Sequence, residues 1–187
     1  MERRSCTCIV FALLMAGLCV SIPRPGLAKA TKTDVTGVSD VNGCVLSGEI
    51  VPDEDGNLHI KAYTQTGRFA LQGDDIAIKG TQIVVLTGVI DDTGSGFIDG
   101  NWIVISAGGT VTWEGSVHGY LEHFSFTGKV TAQGKGPYAG MKLTLDMQER
   151  PGTEDNPNPE VFDLSGHIWE PVAVQILRRK SCRGSCP

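Results

Sequence analysis

The sequence predicts an all-β protein, an antiparallel β-barrel of about eight to nine strands or a barrel-like sandwich with a 40-residue internal repeat. Three observations carry this. First, an apolar residue, a Ser or Thr, a Gly, any residue and an Ile or Val recur as a unit at residues 46–50, 86–90, 126–130 and 164–168, with Gly48, Gly88, Gly128 and Gly166 spaced by 40, 40 and 38. On a strand the apolar residue, the Gly and the β-branched residue share one face. A glycine inside a strand weakens it, so four in register point to a geometric need such as a bend at a barrel corner or the close approach of another backbone. Second, three stretches alternate cleanly. Val111, Trp113, Gly115 and Val117 oppose Thr112, Glu114 and Ser116; Phe124, Phe126, Gly128 and Val130 oppose Ser125, Thr127 and Lys129; Met141, Leu143, Leu145 and Met147 oppose Lys142, Thr144 and Asp146. One dry and one wet face per strand is the pattern of an antiparallel sheet. Third, the chain holds 24 glycines and no apolar period of 3.6 that lasts three turns. The 40-residue period also fits a propeller blade, but three units and one closing strand are few for that architecture.

From the N-terminus, residues 1–30 read as a secretory signal peptide. Arg3 and Arg4 form a basic head, Cys8 to Val20 is an apolar run, Pro23 and Pro25 break it, and Ala28-Lys29-Ala30 is a small-x-small cleavage site. The run is shorter than the roughly 20 residues a membrane-spanning helix needs, so no transmembrane segment is expected. The mature protein is then secreted or periplasmic. Residues 31–43 are small and polar and read as a flexible leader. The β domain is expected over 44–177, with strands at 45–51, 58–64, 82–90, 101–106, 111–117, 124–130, 141–147, 161–168 and 172–177. Residues 149–160, rich in Pro, Asn and Gly, cannot be regular and form a loop. Residues 178–187 form a basic tail that carries Cys182 and Cys186.

The chain has 16 basic and 21 acidic residues; removing the four basic and one acidic residues of 1–30 leaves 12 and 20, a net charge of −8. An acidic body argues against nucleic-acid binding, which calls for a basic face. Export permits disulfides. One pair is expected among Cys44, Cys182 and Cys186: Cys44 bridged to either tail cysteine, or Cys182 bridged to Cys186.

No catalytic constellation emerges. Glu114 and Glu122 would need a side-chain separation of roughly 5–10 Å to serve as paired glycosidase carboxylates, and sequence supplies no distance. Ser95 between Gly94 and Gly96 lacks the spacing of a nucleophile elbow. His118 and His123 flank a short segment, but strand alternation puts His118 with Glu114 on the polar face, and His167 points outward as well. No cofactor is required. The cation the chain could take is calcium, because Asp91, Thr93, Ser95 and Asp99 fall at ligand positions of a calcium-loop pattern whose closing Glu is replaced by Trp102. For a small apolar ligand, the aromatic residues Trp102, Trp113, Phe124, Tyr138 and Trp169 are the candidate lining.

Gly134-Lys135-Gly136-Pro137-Tyr138-Ala139-Gly140, following a strand that contains Thr127-Gly128, resembles a hairpin signature of the allene oxide cyclase/dirigent β-barrel group, with a looser echo at Gly94, Gly96 and Gly100. The resemblance implies an eight-stranded antiparallel barrel, often oligomeric, with an apolar cavity; some members of the group guide cyclisation or coupling of a bound molecule. The expected function is therefore that of an exported, non-enzymatic barrel that binds a small apolar molecule or a protein surface. The alternatives are a cyclase- or isomerase-like barrel acting on a small molecule in its interior, and a structural or cell-surface module.

Overall fold

The computed structural model describes residues 30–41, 43–152 and 160–171. Nine strands follow one another: β1 (Thr31–Asp40), β2 (Val45–Pro52), β3 (Leu58–Gln72), β4 (Ala77–Ile90), β5 (Gly96–Ile105), β6 (Val111–Glu122), β7 (Ser125–Gly134), β8 (Lys142–Glu149) and β9 (Val161–Glu170). The sheet order is β1-β9-β8-β7-β6-β5-β4-β3-β2, and β1 also pairs with β3. That last pairing closes an eight-stranded antiparallel barrel, with β2 as an extra strand along β3. The seam between β1 and β3 is short, running from Thr36↔Gln72 to Asp40↔Arg68. Beyond it β3 leaves β1 and pairs with β2, from Val45↔Gln65 to Pro52↔Leu58.

β3 and β4 are longer than the sequence predicts. β3 runs on through Phe69 and Leu71, and β4 begins at Ala77, before Ile78. These added halves hold the seam and pair with each other up to Gln72↔Ala77. β5 likewise starts earlier, at Gly96.

β1 corrects the expected flexible leader, and the β domain starts at Thr31, not at 44. Its inward positions are Val35, Gly37 and Ser39, so only Val35 is a large apolar side chain, and the strand gives almost no hydrophobic signal. It is ordered by its neighbours. β1 pairs with β9 along its whole length and with β3 at its C-terminal half, so its backbone groups are spent in two ladders. Residues 1–29, the expected strand at 172–177, the tail with Cys182 and Cys186, and the loop core 153–159 lie outside the described residues. Cys44 is a free, exposed thiol.

The glycine pattern has a different meaning from the one its spacing implies. Gly88, Gly128 and Gly166 lie within β4, β7 and β9, half-buried between inward apolar neighbours. Gly48 lies on the outer strand β2, exposed, with φ +91° at a register shift. The four fall in the second, fourth, seventh and ninth strands, so equal spacing in sequence does not correspond to equal numbers of strands, and the described residues show no 40-residue structural unit. Two of the four do share a row, with two other glycines. Gly88, Gly119, Gly128 and Gly37 lie in one row across the sheet, Gly88↔Ile98↔Gly119↔Gly128↔Met147↔Leu164↔Gly37. The Phe126 ring lies over two of them: a Cβ on Gly119 or Gly128 would come within 2.2 or 2.5 Å of Phe126 Cζ.

The interior is unevenly filled. Toward the end that carries the β3–β4, β5–β6 and β7–β8 connections, Phe69, Leu71, Ile78, Trp102, Val104, Trp113, Met141 and Leu143 pack at 0–3 % exposure. Phe69 meets Trp102 edge to face at 5.0 Å, and Trp113 stacks on Tyr138 at 5.3 Å. Tyr138 belongs to a 3-10 turn, Gly136–Tyr138, in the β7–β8 connection. A polar chain crosses this core: Trp102 Nε1 donates to Gln82 Oε1 (3.1 Å), and Gln82 Nε2 donates to Ser39 Oγ (2.6 Å). Gln82 and Ser39 are each 1 % exposed. Both atoms of the Gln82 amide are thus hydrogen-bonded, which burial of the group requires.

Candidate functional site

The opposite half of the barrel is hollow. A cavity of about 210 Å³ lies there, walled by Val84 and Leu86 of β4, Ile98 of β5, Val117 and Leu121 of β6, Phe126 of β7, Met147 of β8 and Phe162 of β9. Strand alternation turns each of these side chains inward. Gly119 and Gly128 do not open this hollow, because the Phe126 ring lies over both; its walls are the medium-sized apolar side chains themselves. Phe126 takes part of the space and meets Phe162 edge to face at 5.7 Å.

Three polar residues complete the lining, all at the mouth. Gln65 sits on β3 just past the seam, Glu149 ends β8 and Glu160 precedes β9. Gln65 Nε2 donates to Val41 O (2.8 Å) and to Glu160 Oε2 (3.3 Å). Glu149 Oε2 accepts the Phe126 N–H at 2.8 Å. Phe124 forms the outer lip. It is in the β6–β7 turn with φ +64°, not on a strand face as the sequence predicts, and its N–H donates to Gly94 O at 2.8 Å.

Of the five aromatics expected to line a pocket, only Phe124 touches this one. Trp102, Trp113 and Tyr138 pack in the closed half, and Trp169 is on the outer face, 40 % exposed, with Lys32 Nζ 5.9 Å from its ring centre. The physical reason is volume. The widest side chains sit where the barrel is filled, and so they cannot border the part that is not. Sequence reasoning missed Gln65, Glu149 and Glu160. No local pattern marks them, since they come from three distant places in the chain and meet one cavity only in the folded barrel.

The calcium-pattern residues separate into two settings. Asp91 Oδ1 accepts from Thr93 N (2.9 Å), Ser95 N (2.9 Å) and Thr93 Oγ1 (2.6 Å). The Thr93 hydroxyl and the Ser95 N–H hold its carboxyl below the usual carboxylate range. The carboxylate therefore closes the β4–β5 turn. Asp99 lies on the outer face of β5, 2.6 Å from His118 Nδ1. Among the described residues no group of three or more His, Cys, Asp or Glu side chains is arranged to hold a metal ion. Asp53 plays the turn-closing part between β2 and β3, where the Asn57 amide first and His59 second push its carboxyl far down.

On the outer face His118 Nε2 also lies 3.0 Å from Ser116 Oγ, so Ser116, His118 and Asp99 follow one another as the groups of a hydrolytic triad do. The His118 and Asp99 side chains are 61 % and 66 % exposed. β6 is paired on both sides, which commits its backbone N–H groups to the ladder. No backbone donor remains beside Ser116 to hold an oxyanion, the largest contribution in acyl transfer, and we read the chain as a surface network. A shallow outer depression of about 800 Å³ runs past these residues between the Phe97–Tyr120 pair and the Lys129–Asp146 pair. It is bounded by side chains on one sheet face, whereas the interior cavity has walls on several sides, and enclosure is what a small-molecule site needs.

Fold and site together define a small closed β-barrel, packed at one end and hollow at the other. Comparison with protein-family models, with curated proteins and with solved structures finds no match.

Proposed function

We propose that this protein is an exported, non-enzymatic carrier that binds one small apolar molecule in the hollow half of its barrel. The observation that carries the reading is the cavity of about 210 Å³ with apolar walls on six strands. An apolar cavity of roughly 150 Å³ is enough to bind benzene. The ligand that suits this one is a single ring or a short branched chain, smaller than the drug-sized molecules that fill pockets of about 300–1,000 Å³. Export rests on residues 1–30 and their cleavage pattern. The hairpin resemblance at Gly134–Gly140 points the same way, toward a barrel with an apolar interior.

A cyclase- or isomerase-like action inside the barrel is the second reading. Two carboxylates at the mouth favour it, since either would serve as a proton acceptor within reach of a bound molecule.

The test of binding is a cavity-filling variant. Val117 is 3 % exposed and faces the hollow. In Val117→Phe the added ring occupies the ligand's place. Wild-type protein titrated with toluene or indole is expected to show saturable binding by ligand-detected NMR, and Val117→Phe is expected to lose it while keeping its far-UV circular dichroism. Equal binding by both proteins contradicts a site in the barrel.

A further inference from the structure

Among the described residues the cavity mouth offers hydrogen-bond acceptors and no free side-chain donor. Gln65, Glu149 and Glu160 are the polar residues that line it. The Gln65 amide N–H groups are both spent, one on Val41 O and one on Glu160 Oε2. Carboxylates accept only. Glu149 uses one oxygen for the Phe126 N–H and Glu160 uses one for Gln65; among the described residues the second oxygen of each has no protein partner, and neither side chain pairs with a Lys, Arg or His. Two carboxylates thus line the rim of an apolar cup, and among the described residues no Lys, Arg or His side chain pairs with either.

From this we infer that the ligand is an amphiphilic cation, a small hydrocarbon or aromatic body carrying a protonated amine. The body fills the space beside Val117, Ile98 and Leu121, and the ammonium lies between Glu149 and Glu160. Each of the three needs of the site is met by that chemistry. Apolar surface is removed from water, an N–H donor meets acceptors that lack one, and the positive charge offsets two neighbouring negative ones. Charge-assisted hydrogen bonds are about twice as strong as neutral ones, so an amine should bind more tightly than the alcohol of the same shape. An anionic head group meets repulsion from both carboxylates. The net negative charge of the chain, −5 over the full sequence, attracts the same class of molecule from a distance.

This inference rests on the ligand-in-barrel reading, and one set of titrations separates the two. The probes are 2-phenylethylamine, 2-phenylethanol and 3-phenylpropanoate, which share a ring and differ in head group. Calorimetry at low salt is expected to rank them amine, alcohol, carboxylate, with the amine about ten-fold tighter than the alcohol. In the double variant Glu149→Gln/Glu160→Gln the ratio of amine to alcohol affinity should fall to about one; Gln keeps an acceptor for the Phe126 N–H. In the wild type, raising the salt concentration should weaken the amine and leave the alcohol unchanged. If the alcohol binds as tightly as the amine, or the preference survives in the double variant, the head-group inference is overturned and the apolar cup stands. If none of the three binds, the cup reading fails and takes the inference with it.

Discussion

Replacing Trp113 with alanine is expected to destabilise the barrel by roughly 3–5 kcal/mol, the range for removing a fully buried Trp. Trp113 is 0 % exposed. Its ring stacks on Tyr138, and Tyr138 is the side chain through which the 3-10 turn after β7 reaches the core. Removing the indole therefore opens a void and unseats the cover at the closed end. The melting temperature should fall by roughly 10 °C or more, read by circular dichroism against wild type. Trp113→Phe separates packing from polarity. Trp113 Nε1 is buried without a hydrogen-bond partner, and an unpaired buried donor is costly. The phenyl ring restores most of the volume and removes that donor, so its loss should be clearly smaller than that of alanine. A Phe variant as unstable as the Ala variant would mean that the indole N–H is satisfied and contributes to stability.

The second large effect is expected at Gly166. Its strand β9 lies between β8 and the closing strand β1, with Gly166 opposite Leu145 on one side and Val35 on the other. A Cβ there would lie 2.1 Å from Thr144 O and 2.9 Å from Leu145 Cα. Both are backbone atoms held in a ladder, so relief requires β8 and β9 to part. Gly166→Val should cost about 3 kcal/mol or more, at or beyond the upper end of overpacking losses, and should reduce soluble yield. Gly108→Ala is the control: its nearest neighbour would be Ser106 Oγ at 3.8 Å, and the change should stay within about 0.5 kcal/mol of wild type. Equal tolerance of the two substitutions would remove the claim that inward glycines hold the strands at their observed spacing.

The strands with alternating large inward residues were legible in the sequence. Trp113 and Val117 mark β6, and Leu143, Leu145 and Met147 mark β8, because burial of one face leaves a period of two; the continuation of β6 to Glu122 lies beyond the expected strand. β1 was not legible. Val35 is its one large inward side chain, and its order comes from β3 and β9, which lie over 25 and over 120 residues away in the chain. Closure of the barrel depends on those same distant pairings, so it is not written in any local window. The candidate site was misplaced for a related reason. Large aromatics stand out in a sequence, and as candidate pocket lining they point to the wrong end. In the barrel Trp102 and Trp113 fill the closed end, while the hollow is walled by medium-sized side chains such as Val84, Leu86, Ile98, Val117 and Leu121. Only after β6 and β7 are aligned, with Gly119 opposite Gly128, does it become readable that the pair seats the Phe126 ring.

The most direct measurement of the apolar hollow on which the proposed function rests is diffraction from crystals under xenon pressure. Xenon enters apolar cavities, and the account predicts an anomalous peak among Ile98, Val117, Leu121 and Phe126 in the wild type and none in Val117→Phe, whose ring would enter the same space. A closed barrel with no xenon there, or with the Phe126 ring already occupying that volume, would contradict it.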